Sequence, residues 1–266
     1  MLIDSHCHLH SFLSSNRLPS VLSLAEQEGV WRFITVGTST EDWETYRKLA
    51  SDYPGRIYFT AGLHPGHVEE DWESQLDALE GILQKGDAVR PVAIGETGLD
   101  YFRLPADPEA RAQTIIRQKA SFLRQIGIAN AYGLPLVVHS RAAFDDCIRL
   151  IDQSGFPWNS VVFHCFGEGP DAMKRLNLRG GRGSFTGVIT YGKASEVRDA
   201  LVEQGVDRLM LETDAPYLAP TPHRGKENEP AFLIHTADAA AQLLHMTPDN
   251  LRKQVWENTC KFFNIV

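Results

Sequence analysis

The strongest constraint on this chain is the alternation written into its apolar pattern. Eight short β-rich runs, at residues 2–5, 33–36, 57–62, 92–95, 136–138, 161–163, 184–189 and 209–211, are separated by stretches of helical composition at 21–28, 41–51, 72–84, 109–131, 144–154 and 196–204. A strand that returns beside a parallel neighbour needs a crossover, usually helical, so steady strand–helix alternation selects an α/β fold with a parallel sheet. The 266 residues spread over eight strands leave about 33 per unit, the size of one strand–helix repeat, and ~250 residues is the usual length of a closed (β/α)8 barrel. The expected architecture is an α/β fold of the (β/α)8 TIM-barrel type. A doubly wound open sheet competes, but it usually has fewer strands and often a Gly-rich first turn, and no Gly-x-Gly-x-x-Gly follows the first run. Gly180-Gly181-Arg182-Gly183 follows a helical stretch and is expected to be a surface turn. No internal repeat, low-complexity tract or Pro/Ser-rich linker divides the chain, so one domain over residues 1–266 is expected.

Charge narrows the classes of partner. The net charge of −8 excludes a generic basic coat for nucleic acid, yet permits an enzyme that meets nucleic acid at one focused metal site. Cys7, Cys147, Cys165 and Cys260 are far apart and form no C-x-x-C pair, which argues against a zinc ribbon or a disulfide framework and fits a reducing compartment. The opening Met1-Leu2-Ile3-Asp4 has no cationic stretch and reaches an acid at its fourth residue, unlike a signal peptide. No apolar run approaches the ~18–20 residues that span a bilayer, and the softest stretch, 237–244, reads as a packed helix. A cytoplasmic protein with no membrane anchor and no obligate protein partner is expected.

The informative residues follow the strands, because barrel active sites assemble at the C-terminal strand ends. The first run leads into His6-Cys7-His8, the third into His64, the fourth into Glu96, the fifth into His139, the sixth into His164 and the eighth into Glu212-Thr213-Asp214. In extended backbone, residues i and i+2 point to one side, so His6 and His8 can face a single ion while Cys7 turns away. As an isolated dipeptide such a pair is more commonly a polar loop. Joined to Glu96, His139, His164 and Asp214 at matching positions, it reads as a metal centre. Four imidazoles and two carboxylates exceed the ligands of one tetrahedral ion, so two divalent ions are implied. Mixed nitrogen and oxygen donors suit zinc, manganese or iron better than a purely magnesium site, and zinc, manganese and magnesium stand as the candidate ions.

The segments Ile3-Asp4-Ser5-His6-Cys7-His8-Leu9, Gly62-Leu63-His64-Pro65, Gly95-Glu96-Thr97-Gly98-Leu99-Asp100-Tyr101, Val138-His139-Ser140-Arg141, Phe163-His164-Cys165-Phe166, Glu212-Thr213-Asp214-Ala215-Pro216-Tyr217 and Arg224-Gly225-Lys226-x-Asn228-x-Pro230 resemble the TatD family of metal-dependent deoxyribonucleases, in the amidohydrolase superfamily. The resemblance covers nearly the whole chain in family order. It implies a barrel, a two-metal centre and hydrolysis of phosphodiester bonds, as a 3′→5′ exonuclease on single-stranded DNA or RNA. By position it implies His6, His8, Glu96 and Asp214 as ligands of one ion and Glu96, His139 and His164 as ligands of the other. Glu96 would bridge the ions, a role other amidohydrolases give to a carbamylated lysine, and no lysine follows the fourth strand here. Glu96 and Asp214 are the candidate catalytic residues, with Asp214 either a proton shuttle for the attacking water or a ligand only.

Substrate residues are less sharply defined. His64, Arg141, Arg224 and Lys226 lie in strand-end segments and are candidate contacts to substrate phosphates, while Tyr101, Phe102, Phe166 and Tyr217 are candidates for stacking bases. Arg224 and Lys226 can equally pair with Glu227 and Glu229, and the aromatics can pack beneath loops. His64 can equally shape its loop through Pro65. His235 and His245, in the late helical region, are not expected to be ligands, and the tryptophans are expected to pack against helices. Two departures from the family pattern, His10 and Gly167-Glu168, leave the ligands intact but place a carboxylate near the mouth. The expected partners are therefore a single-stranded nucleic-acid end or a small ester or phosphoester, with hydrolysis of an ester, lactone, amide or aminoacyl ester as the competing activity on the same site.

Overall fold

All eight β-rich runs form strands in the computed structural model, which describes residues 1–86 and 88–266. They are β1 (Leu2–Cys7), β2 (Val30–Val36), β3 (Ile57–Thr60), β4 (Ile94–Asp100), β5 (Leu136–Arg141), β6 (Val161–Phe163), β7 (Arg182–Phe185) and β8 (Met210–Leu211). Ten helices among the described residues alternate with them: α1 (His10–Ser14), α2 (Leu18–Gln27), α3 (Thr40–Asp52), α4 (Trp72–Gln84), α5 (Pro108–Tyr132), α6 (Phe144–Ser154), α7 (Pro170–Arg179), α8 (Ser195–Gln204), α9 (Leu233–Leu243) and α10 (Pro248–Phe263). No helix among the described residues is long and apolar enough to cross a membrane.

The chain forms two compact units, each built on an arc of parallel strands. The first comprises Met1–Thr35, Tyr53–Tyr58 and His164–Val266. Within it β7 pairs with β8 through Ser184 and Met210, and β1 pairs with β2 through Asp4 and Phe33. Asp214 N donates to the His6 carbonyl and Ser5 Oγ to the Leu211 carbonyl, laying the end of β8 along β1. The second unit comprises Val36–Asp52 and Phe59–Phe163. There Ala61 bridges to Ile94, β4 pairs with β5, and β5 with β6. Every residue of β1 and of β4 is buried, the pattern of parallel strands covered on both faces. Phe12, Phe33 and Phe185 fill the first unit, and Phe59, Phe122 and Phe163 the second, each contributing about 1.5–3 kcal/mol by leaving water.

Local chemistry explains most boundaries. Asp107 Oδ1 accepts the Ala110 N–H ahead of Pro108, opening α5 where the sequence predicts it, and Thr247 does the same for α10. Four expectations need correction. β4 runs on through Glu96 to Asp100 rather than stopping at residue 95, so Glu96 lies inside the strand. β7 ends at Phe185, because Thr186 Oγ1 accepts the Val188 N–H and turns residues 187–190 into a single 3-10 turn. Gly180 (φ 93°) does close α7, but Arg182 and Gly183 are buried in β7 and are not part of a surface turn. Trp31 also departs from expectation: it lies exposed on β2, whereas Trp43 is buried and donates its indole N–H to the Gly62 carbonyl.

Candidate metal clusters

In the first unit, β1 carries His6 inward and releases His8 at its end. The donor atoms of His6, His164 and Glu212 all lie within 4.8 Å of one another. The His6 and His164 rings stack nearly parallel at 4.0 Å, and His8 meets His6 edge-on at 5.2 Å. Asp214 Oδ1 stands 3.4 Å from His8 Nε2 and 3.7 Å from His6 Nε2. Burial pushes the Asp214 carboxyl upward, but the His8 hydrogen bond and the fields of His6, His8 and His164 outweigh it and hold the group below its usual range.

A hydrogen-bonded frame sets this geometry. Asp214 has a left-handed backbone (φ 55°), a conformation that Asp tolerates better than most residues. It is held there by its own N–H on the His6 carbonyl and by the His8 N–H on the Ala215 carbonyl. Asp4, buried two residues before His6, accepts the Thr213 N–H and the Thr213 hydroxyl, and burial drives its carboxyl up to about 7. Asn228 donates to the carbonyls of Thr213 and Tyr217, pinning the segment from the other side. Glu212 accepts the Cys165 N–H on Oε1 and the Ser184 hydroxyl on Oε2, with Oε1 3.6 Å from His164 Nδ1.

In the second unit, the donor atoms of His64, Glu96 and His139 lie within 4.8 Å of one another. Glu96 Oε1 is 2.7 Å from His139 Nδ1 and 3.5 Å from His64 Nε2. His64 Nδ1 accepts the Gly66 N–H, so this residue both shapes its loop and faces Glu96. On its far side His139 Nε2 is 3.4 Å from Asp100 Oδ2. Burial alone would raise the Asp100 carboxyl, but bonds from His139 and from the Phe102 and Arg103 N–H groups bring it down to about 2. Glycine makes the approach possible: Gly98 sits opposite His139 with φ 138°, and a Cβ there would fall 2.1 Å from the His139 carbonyl oxygen.

The candidate substrate residues sort differently. The Arg141 guanidinium lies over the Phe102 ring at 3.9 Å, and Arg224 over Tyr191 at 4.4 Å. Glu227 and Glu229 both pair with Arg17, which takes up the carboxylates that the sequence offered as alternative partners of Arg224 and Lys226. Phe166 is buried and the Tyr101 hydroxyl donates to Asp146, which leaves Phe102 (66% exposed) and Tyr217 (61%) as the open rings. Tyr217 sits edge-on to His8 at 6.1 Å. The structure thus gathers His6, His8, His164 and Asp214 in one unit, and His64, Glu96 and His139 in the other. It adds Asp4, Asp100 and Glu212, none of which the sequence reading assigned. The available signal was spacing by two along the strands, from His6 back to Asp4 and from Glu96 by two steps to Asp100; Glu212 follows β8 and had no such signal.

The family described as "TatD related DNase" matches residues 3–264. The chain belongs to the TatD family. Among curated relatives, the "uncharacterized metal-dependent hydrolase YcfH" of Escherichia coli is 33% identical over 99% of this chain and 96% of its own length. The "uncharacterized metal-dependent hydrolase YabD" of Bacillus subtilis is 31% identical over the full length of both. Among solved structures, the E. coli TatD homologue YjjV superposes with a TM-score of 0.90 at 30% identity, covering 100% of this chain and 98% of that one. This TatD-family chain is therefore a metal-dependent hydrolase, and the α/β fold of TIM-barrel type expected from the strand–helix alternation stands.

Proposed function

We propose that this TatD-family chain is a two-metal, cytoplasmic phosphodiesterase that shortens single-stranded DNA or RNA from its 3′ end, working as one domain over residues 1–266. The observation that carries the reading is the recurrence of one donor pattern, two imidazoles and a carboxylate with all donor atoms within 4.8 Å, in each of two units. Such nitrogen-rich sets fit zinc, manganese or iron better than magnesium. The proposed metal ligands are His6, His8, His164 and Asp214 in the first unit and Glu96 and His139 in the second. Bound divalent ions supply a nucleophile at neutral pH and neutralise charge growing on a phosphoryl oxygen.

The chain's own groups do the rest. Asp214 Oδ1, in contact with His8 and His6, takes a proton from the water that attacks phosphorus and passes it to the leaving sugar oxygen. Asp100, facing His139 Nε2, would hold the ring in orientation while Nδ1, on the side of Glu96, is left to an ion. His64, Arg141, Arg224 and Lys226 are the proposed contacts to substrate phosphates. The family description supports nucleic acid as substrate, and the names of the relatives support metal-dependent hydrolysis.

The test incubates the purified protein with 3′- and 5′-labelled single strands and manganese, zinc or magnesium, beside a panel of small esters and lactones. Stepwise shortening from the 3′ end, reduced about 100-fold or more in Glu96→Ala and Asp214→Asn, is the expected result. Intact strands with rapid ester or lactone turnover would overturn the nuclease reading and leave a metal-dependent esterase.

A further inference from the structure

Phe102 is the most open of the aromatic rings beside either cluster, yet it is held firmly. At 66% exposure its phenyl leaves most of an apolar face in water, which burial elsewhere in the unit would avoid. One face is occupied: the Arg141 guanidinium lies 3.9 Å from the ring centroid. The backbone beneath is fixed on several sides. Asp100 and Arg141 face each other in the β4–β5 register, and the Tyr101 N–H donates to the Arg141 carbonyl. Asp100 Oδ1 accepts the Phe102 and Arg103 N–H groups, while its other oxygen reaches His139. Gln118 closes the frame by accepting the Asp100 N–H and donating to the Asp100 carbonyl. Tyr101, the neighbouring ring, is spent on Asp146 and takes no part.

An exposed ring on a backbone held at two successive N–H groups by one carboxylate, backed by a cation, and tied through that carboxylate to a cluster histidine has the make-up of a stacking platform. The geometry points to Phe102, stiffened by Arg141, as a subsite for the flat ring of a nucleobase. This rests on the nucleic-acid reading given above and deepens it: strand recognition would come from one unpaired base stacking on an aromatic face, and Arg141 would back that stack alongside its proposed phosphate contact. Base–aromatic stacking tolerates every base because each has a π face, and it requires the base to be unpaired. A duplex end would present its terminal base already stacked and paired. Asp100 is then a positioning residue, holding platform and His139 in one register.

The test separates binding from turnover. A short phosphorothioate single strand bearing 2-aminopurine at its 3′ end is titrated with the full chain, reading quenching of the base and the Kd together, while an ordinary labelled strand is followed for shortening. Wild type is expected to quench the fluorophore. Phe102→Leu should lose the quenching and weaken Kd by about 5- to 150-fold, the span of base–aromatic stacking, and Phe102→Trp should restore both. A strand with an abasic 3′ end should bind wild type and Phe102→Leu alike. Because the side chain is exposed, the variants should keep the wild-type urea midpoint and metal content. Equal quenching and Kd in wild type and Phe102→Leu, or no quenching by wild type, would overturn the platform even if shortening proceeds. Phe102-dependent quenching without any shortening would instead sink the nuclease reading and leave a base-binding subsite on another hydrolase.

Discussion

Glu212 commits both carboxylate oxygens to fixed donors, the Cys165 N–H and the Ser184 hydroxyl, while facing His164 Nδ1 at 3.6 Å. Glu212→Gln preserves this shape: the amide oxygen can accept from Cys165, and the amide N–H can donate to Ser184, whose hydroxyl rotates to accept. What disappears is the negative charge beside His164. Stability by urea denaturation should therefore change by no more than about 1 kcal/mol, while metal affinity drops about 10- to 100-fold, as when a partner of a ligand is altered. Metal titration with wild-type affinity would show that Glu212 only braces the fold. The histidines of the site were legible in the sequence because imidazoles at strand ends are scarce and have few structural uses there. Glu212, Asp4 and Asp100 were not, because a carboxylate's role depends on which donors meet each oxygen. Arg224 illustrates the same limit, since the pairing of Glu227 and Glu229 with Arg17, some 210 residues away in sequence, cannot be read from their neighbours.

At the scale of elements, the junction of β4, α5 and α6 is governed by Asp146. It lies in the first turn of α6, where the helix dipole favours a negative charge, and it accepts from Tyr101, from Lys119 on α5 and from Arg149. Burial would raise its carboxyl, yet these partners win and hold it well below the usual range. A carboxyl depressed in the folded state lends stability that is fully present above its unfolded pKa, about 3.9, and is lost as pH falls through the folded value. Asp146→Asn should then cost about 1 kcal/mol at pH 7, the upper end for partly exposed pairs, and progressively less as pH falls below about 4. Urea midpoints for both proteins across that range check it, and a pH-independent difference would assign the loss to packing alone. β4 itself shows why a strand can outrun the apolar run that marks it in the sequence. Gly95 and Gly98 are poor strand formers, and they persist in β4 because only their lack of a side chain admits β5 so closely.

The whole molecule carries a net charge of −8, and the few cations proposed to meet substrate are partly engaged already, Arg141 on Phe102 and Arg224 on Tyr191. A protein that wraps nucleic acid releases many counterions, whereas this one offers Arg141, Arg224 and Lys226. Taking about three neutralised phosphates and a slope of about −0.7 per phosphate for single strands gives a log–log salt slope near −2. Between about 50 and 200 mM salt the affinity for a phosphorothioate strand should fall by roughly 20-fold, far less than the ~1,000-fold or more expected of a protein making six to ten phosphate contacts. The measurement is fluorescence anisotropy at several salt concentrations. A slope steeper than about −4 would demand about six neutralised phosphates, twice the number of cations proposed to meet substrate. A shallow slope with retained affinity would put the binding energy in stacking and in the metal clusters, neither of which salt screens strongly. That division suits an enzyme that holds the end of a strand and lets the remainder stay in solvent.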